Sequence, residues 1–237
     1  MKTNFRSLAI AVGLLTTFAV PVRATVVYSN DFSSNSNGFS GGTIQTSPSG
    51  ENFLGPFTQG GSTTLTITGL TPHTTVGLSF TLDVIGSLDG DGQFNFPLSG
   101  PDPFLVSLNG TQVFNYTFAN FTGGNTQNYP VAGSAPDTGA ATVGTLGYSG
   151  FPGPVQDSTY NLTLSNLLDS SSTISLVFTG NSNEGTINEF YGIDNVVVST
   201  NATPLPAALP LFAGGLGVIG LLARRRKRKN VAALEAA

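Results

Sequence analysis

Val76-Gly77-Leu78-Ser79-Phe80-Thr81-Leu82-Asp83-Val84 is the stretch on which the fold turns. Its apolar residues occupy every second position, with small or polar residues between them. Successive side chains of a strand point to opposite faces, so this spacing predicts a strand with one apolar face. The same spacing recurs at Leu65 and Ile67, at Phe104, Val106 and Leu108, and at Phe114, Tyr116 and Phe118. It returns at Tyr160, Leu162 and Leu164, at Ile174, Leu176 and Phe178, and at Val196 and Val198. Gly, Pro and Asn clusters separate these runs, and no helical periodicity of useful length or internal repeat interrupts them. The expectation is an all-β domain, an antiparallel β-sandwich. The chain has no cysteine, so packing or bound ions, and no disulfide, must hold such a domain together.

Charge divides the chain into three parts. Its nine Lys and Arg residues are Lys2, Arg6, Arg23 and the six from Arg224 to Lys229. Of its 13 Asp and Glu residues, all but Glu235 lie in the middle. A formal net charge of −4 therefore conceals an acidic middle between two basic ends, the mark of targeting segments around a separate domain. Lys2 and Arg6 precede an apolar run over residues 8–20, and Val22-Arg23-Ala24 offers small residues for cleavage. Residues 1–24 thus read as a secretory signal peptide, handled by a secretion translocon. Near the other end, Pro204-Leu205-Pro206 is followed by the uncharged apolar residues 207–223 and then Arg224-Arg225-Arg226-Lys227-Arg228-Lys229. As a helix the apolar run would reach roughly 26 Å, a short transmembrane segment. The basic cluster after it stops transfer and stays cytoplasmic, which puts the middle on the far side of the membrane. The expected organisation is a signal peptide (1–24), an ectodomain (25–202), a sorting tail (203–229) and a short extension (230–237).

Elimination narrows the chemistry of the middle. Without Cys it has no thiol nucleophile. Without Lys or Arg it has no Schiff base, no phosphate clamp and no cationic track for nucleic acid. His73 is the only histidine, and in Leu70-Thr71-Pro72-His73-Thr74 it reads as an exposed turn residue. One histidine also excludes histidine-based zinc sites. Carboxylates remain. Glu51, Glu184 or Glu189 with an Asp partner could form a glycosidase pair, although nothing in the sequence sets their separation. Calcium is the better use of them. Asp89-Gly90-Asp91-Gly92-Gln93-Phe94-Asn95 places side-chain oxygens at Asp89, Asp91 and Asn95 of a glycine-bent loop, and hard cations take such oxygens. Asp102 is a further ligand candidate, and Asp31 with Asp194 forms a second candidate cluster where terminal strands would meet. The plainer alternative is a solvated turn, which Asp-Gly pairs favour without any metal. Tyr129 and Tyr148 stand in loop-like surroundings and are the candidate platforms for a sugar ring, against the alternative that they pack into the core.

The C-terminal segment resembles the PEP-CTERM sorting signal of exosortase substrates in Gram-negative bacteria, with Pro204-Leu205-Pro206 where Pro-Glu-Pro is usual. That resemblance implies a transient inner-membrane anchor, an exosortase-type membrane protease acting near the proline motif, and delivery to the cell surface or extracellular matrix. The middle resembles a lectin-like, jelly-roll module of exported bacterial proteins. It does so through Gly86-Ser87-Leu88-Asp89-Gly90, Gly100-Pro101-Asp102-Pro103-Phe104, Leu108-Asn109-Gly110 and Glu189-Phe190-Tyr191-Gly192-Ile193-Asp194-Asn195-Val196. The functional expectation is a noncatalytic surface or matrix protein that associates with extracellular polysaccharide, with calcium as a structural or bridging ion. The alternatives are a passive acidic coat protein without a discrete ligand and, third, a glycoside hydrolase.

Overall fold

The computed structural model describes residues 24–91, 100–120, 125–150, 157–186, 188–202 and 224. The chain divides into two compact units, Arg23–Thr203 and a second made of Met1–Val22 with Pro204–Ala237. The proline motif, the apolar run and Arg225 onward lie outside the described residues, as do the expected signal peptide up to residue 23 and Asn95. Among the described residues no helix is long and apolar enough to cross a membrane.

Twelve strands are described in the larger unit. They are β1 (Ala24–Asn30), β2 (Phe39–Ser40), β3 (Thr43–Thr46), β4 (Asn52–Phe57), β5 (Gly61–Thr68) and β6 (His73–Gly86). After them come β7 (Pro103–Leu108), β8 (Thr111–Thr117), β9 (Thr142–Val143), β10 (Ser158–Leu168), β11 (Thr173–Gly180) and β12 (Glu189–Ala202). They form two antiparallel sheets. One runs β3-β4-β12-β6-β10-β9, with β1 also paired to β12, and the other runs β2-β5-β11-β7-β8. Every alternating run named above falls on a strand, save that Phe118 stands one residue beyond β8.

The alternation on β6 produces the core. Val76, Leu78, Phe80, Leu82 and Val84 are at most 3% exposed. They share one cluster with Leu65, Phe104, Val106, Ile174, Leu176 and Phe178 of the facing sheet. Removing this apolar surface from water is the main driving force for stacking the two sheets. β12 is central to the first sheet. It pairs with β6 along one edge, and along the other with β4 at Tyr191 and Ile193 and then with β1 from Val196 to Asn201. The change of partner coincides with a register shift between Asp194 and Val197, where Asn195 takes φ 51. A bulge of this kind bends a strand and re-aims its side chains.

Period two also sends Asp83 and Ile85 to the outer face of this sheet. There Phe53, Ile85, Leu146 and Phe190 form a second, smaller buried cluster, with Tyr148 packed against it. Asp157 fastens the covering segment by accepting the Leu146 and Tyr148 amides, each at 2.9 Å.

His73 is not an exposed turn residue. It opens β6 at 2% exposure, with Nδ1 2.8 Å from the Thr71 carbonyl oxygen and Nε2 3.1 Å from Asp169 Oδ1. Asp169 also accepts from Asn109 Nδ2 and the Ser171 amide, so it ties the start of β6 to the β7–β8 and β10–β11 turns.

Candidate functional site

The first cluster of carboxylates lies where β6 ends and β12 begins. Gly86 is paired with Glu189 there. Asp102 Oδ2 accepts the Asp89 amide at 2.8 Å, and Oδ1 accepts the Asn183 amide at 3.2 Å. Asp89 Oδ1 accepts from Asn125 Nδ2 at 2.7 Å, and Glu189 Oε1 accepts the Glu184 amide at 3.0 Å. The Tyr191 hydroxyl donates to the Asp102 carbonyl at 2.5 Å, which fixes the loop before β7 against β12. Asp102 and Glu189 are fully enclosed. Burial raises both carboxyls above their ordinary range, and each lies close enough to other carboxylates to be pushed further. Three buried oxygens in this region have no partner: Glu189 Oε2, Asn125 Oδ1 and Asn120 Oδ1. Asn120 belongs here because its amide nitrogen donates to the Val84 carbonyl and its backbone N–H to that of Leu88.

The second cluster lies on the outer face of the first sheet. Asp83 is 3% exposed, and its carboxyl is pushed up to about 8 by burial and then by the nearby Asp194, Asp157 and Glu51. Asp194 is raised to about 6, chiefly by burial, with Asp31 and Glu51 adding to the effect. Asp31 itself is exposed and held below the usual carboxylate range by the Ser33 hydroxyl and amide.

The expected ligands are therefore distributed as follows. Asp89 and Asp102 are brought together. Asp91 turns elsewhere, accepting the Thr117 and Thr126 hydroxyls at 2.6 and 3.1 Å. Asp31 and Asp194 approach each other, because β1 pairs beside β12, but on the outer face. Among the described residues no three Asp, Glu or His side chains converge closely enough to hold a metal ion. Tyr129 is half-buried among aromatic neighbours, edge-on to Tyr116 at 5.5 Å and to Tyr160 at 5.6 Å. Tyr148 is half-buried against the edge of Phe190, with ring centroids 5.7 Å apart. Of the candidate glycosidase carboxylates, Glu189 is enclosed and so not presented to a substrate.

One open cleft, of about 430 Å³, lies at the end of β1 and is lined by Tyr28, Asn30, Asp31, Ser34, Asn35 and Asn37 among others. Its side chains are wired to one another. Tyr28 donates to the Asn37 carbonyl at 2.6 Å, Asn30 Nδ2 donates to Tyr28 Oη at 3.1 Å, and Asn35 Oδ1 accepts the Asn37 amide at 3.0 Å. Of the residues lining this cleft the sequence marks only Asp31 as a candidate, and it marks neither Asn120 nor Asn125 as one. The crowding of Asn and Ser after Tyr28 was the cleft's only other local signal. Asn120 and Asn125 carried none, because only the folded chain sets them beside Val84 and Asp89.

No family model matches the chain, and no curated protein matches it. Among solved structures it is similar to the C-terminal CBM6 of LamC, a marine laminarinase from Zobellia galactanivorans. The identity is 14%, over 73% of this chain and 98% of that one, with a TM-score of 0.33. A family 35 carbohydrate-binding module from an environmental isolate gives 14%, 75%, 99% and 0.33 in the same order. The exo-β-1,3-galactanase of Phanerochaete chrysosporium gives 16% identity and a TM-score of 0.32, over 74% of this chain but 29% of the enzyme. Likenesses this distant carry no argument about what this chain binds.

Proposed function

We propose that the chain is an exported, noncatalytic β-sandwich that associates with extracellular polysaccharide, uses calcium as a structural ion, and is released from its membrane anchor by an exosortase-type protease. The observation that supports polysaccharide association best is the cleft at the end of β1. It combines a half-buried tyrosine ring, amide side chains and one ionised carboxylate, Asp31. Aromatic faces suit sugar rings, and amide and carboxylate oxygens suit vicinal hydroxyls. The cleft's mutual hydrogen bonds hold these groups in place before any ligand arrives, which lowers the ordering cost of binding. The acidic, Lys- and Arg-free middle favours a neutral glycan, or an acidic one bridged by a divalent ion.

The test is binding of the purified chain to the extracellular polysaccharide of its producing cells and to neutral glycans, with calcium and again with EDTA. The variant is Asp31→Asn combined with Asn37→Ala. We expect the parent to bind and the variant to bind about tenfold more weakly, about 1.4 kcal/mol. Equal affinity in parent and variant would remove the cleft from the proposal. No binding by the parent would leave the passive coat as the better reading.

A further inference from the structure

We propose that the cleft at the end of β1 selects an amine-bearing glycan, a chain of deacetylated amino sugars, with Asp31 as the partner of an ammonium group. It rests on the reading of that cleft as a glycan site and adds the charge of the glycan. The loop that builds the cleft is fixed before any ligand arrives. Phe32 is 0% exposed in the main core, takes φ 50, and meets Phe39 edge-on with ring centroids 5.4 Å apart. A bulky residue keeps a positive φ only where its surroundings hold it there. Asn30 Oδ1 accepts the Phe32 amide at 2.9 Å, and Asn52 Nδ2 donates to the Ser33 carbonyl at 3.3 Å, which ties the loop to β4. Phe32 turns into the core, and its neighbour Asp31 is left exposed along the cleft.

Hydrogen bonding along the wall decides what the cleft takes. Tyr28 spends its hydroxyl hydrogen on the Asn37 carbonyl. Asn30 Nδ2 spends both hydrogens, on Tyr28 Oη and on the Asn35 carbonyl, each at 3.1 Å. The carboxylate is in the opposite state. Asp31 Oδ1 accepts the Ser33 amide and hydroxyl at 3.1 and 2.8 Å, while Oδ2 accepts from no other described residue. A charged acceptor is therefore spare where Tyr28 and Asn30 have no hydrogen left to give. An ammonium is three donors and no acceptor, whereas a sugar carboxylate or sulfate only accepts. The surrounding charge has the same preference. The Asp194 carboxyl feels both Asp31 and Glu51, so three carboxylates stand around this loop, and the chain carries no Lys or Arg from residue 24 to 223 to balance them. A field of one sign about a cleft draws the opposite charge into it. Tyr28 adds an aromatic wall, and aromatic faces attract cations. A lysine side chain also carries an ammonium, but on an apolar stem. The Ser34 hydroxyl and the Asn35 and Asn37 amides line the same cleft, and ring hydroxyls give them partners that such a stem lacks.

The experiment measures binding of the full chain in detergent to three oligomers of equal length: β-1,4-linked glucosamine, its fully N-acetylated counterpart, and lysine. The buffer is mildly acidic, so that the amino sugars are protonated. We expect the glucosamine oligomer to bind at least about fivefold more tightly than the acetylated one, the scale of an exposed ion pair. In Asp31→Asn the two should bind within about twofold of each other. An asparagine oxygen accepts the Ser33 amide and hydroxyl as the carboxylate does, so this variant keeps the loop, and an unchanged melting temperature checks that it has. The proposal is overturned by equal affinity of the parent for the two sugar oligomers. It is overturned by a preference undiminished in Asp31→Asn, which would assign the effect to the charge of the whole domain, or by a lysine oligomer bound as tightly as the glucosamine one. If Asp31→Asn does not fold, salt decides: a preference that about 1 M salt leaves intact overturns the proposal. Equal affinity for both sugar oligomers, weakened by Asn37→Ala, would strike the charge class alone and leave the cleft as a glycan site. Binding of neither would strike both.

Discussion

Gly86 shows how one residue holds the acidic corner together. It ends β6 with φ 92, and a Cβ there would overlap the carbonyl oxygen of Asn188 and crowd Glu189. Only glycine takes that conformation and that proximity without strain. Gly86→Ala should cost about 2 kcal/mol or more in urea unfolding, by positive-φ strain and backbone overlap together. A loss below about 0.5 kcal/mol would mean that the β6–β12 contact is softer than its geometry implies. His73 teaches the opposite lesson about legibility. Its flanking Thr71-Pro72 correctly announced a turn, yet its burial depends on Asp169, a partner 96 residues away that no local pattern reveals.

At the scale of the element, β6 carries two chemistries on its two faces. The inner face was readable from Val76 to Val84, because period two alone assigns it. The outer face was not. Asp83 reads as a solvent-facing carboxylate until the segment bearing Leu146 and Tyr148 closes over it, held there by Asp157. The groups that surround it are Asp194 on β12, Asp157 just before β10, Glu51 just before β4 and Tyr148. All are acidic or phenolic, and none is a cation. Its folded carboxyl is raised to about 8, above the unfolded value, so its contribution to stability is complete at low pH and lost as pH rises towards about 8. In EDTA the melting temperature should therefore decline between about pH 4 and about pH 8, the window set by that shift, and Asp83→Asn should flatten the decline. Identical slopes for parent and variant would show that Asp83 is better solvated than its burial indicates.

At the scale of the whole molecule, the sandwich and the two ends answer to different rules. The ends are read by charge and hydropathy, which need no tertiary structure. If the tail is an exosortase signal, Pro204→Ala with Pro206→Ala should leave unprocessed chain in the inner membrane, detected by the mass of its C-terminus and by extracellular yield. An unchanged mature C-terminus would refute the assignment. For the sandwich, alternation determined by itself that the middle of the chain is all-β and which face of most strands is apolar, because a strand's side-chain period is a local property. β4 escaped that reading, since its neighbouring apolar residues Phe53 and Leu54 do not alternate and serve two different cores. What only the tertiary structure decided is which polar groups share a neighbourhood. Asp89, Asp102, Asn125 and Glu189 are scattered over a hundred residues and meet because β6, β7 and β12 converge at one end of the sandwich. Burial and electrostatic coupling depend on distance in space, and sequence separation carries no record of it.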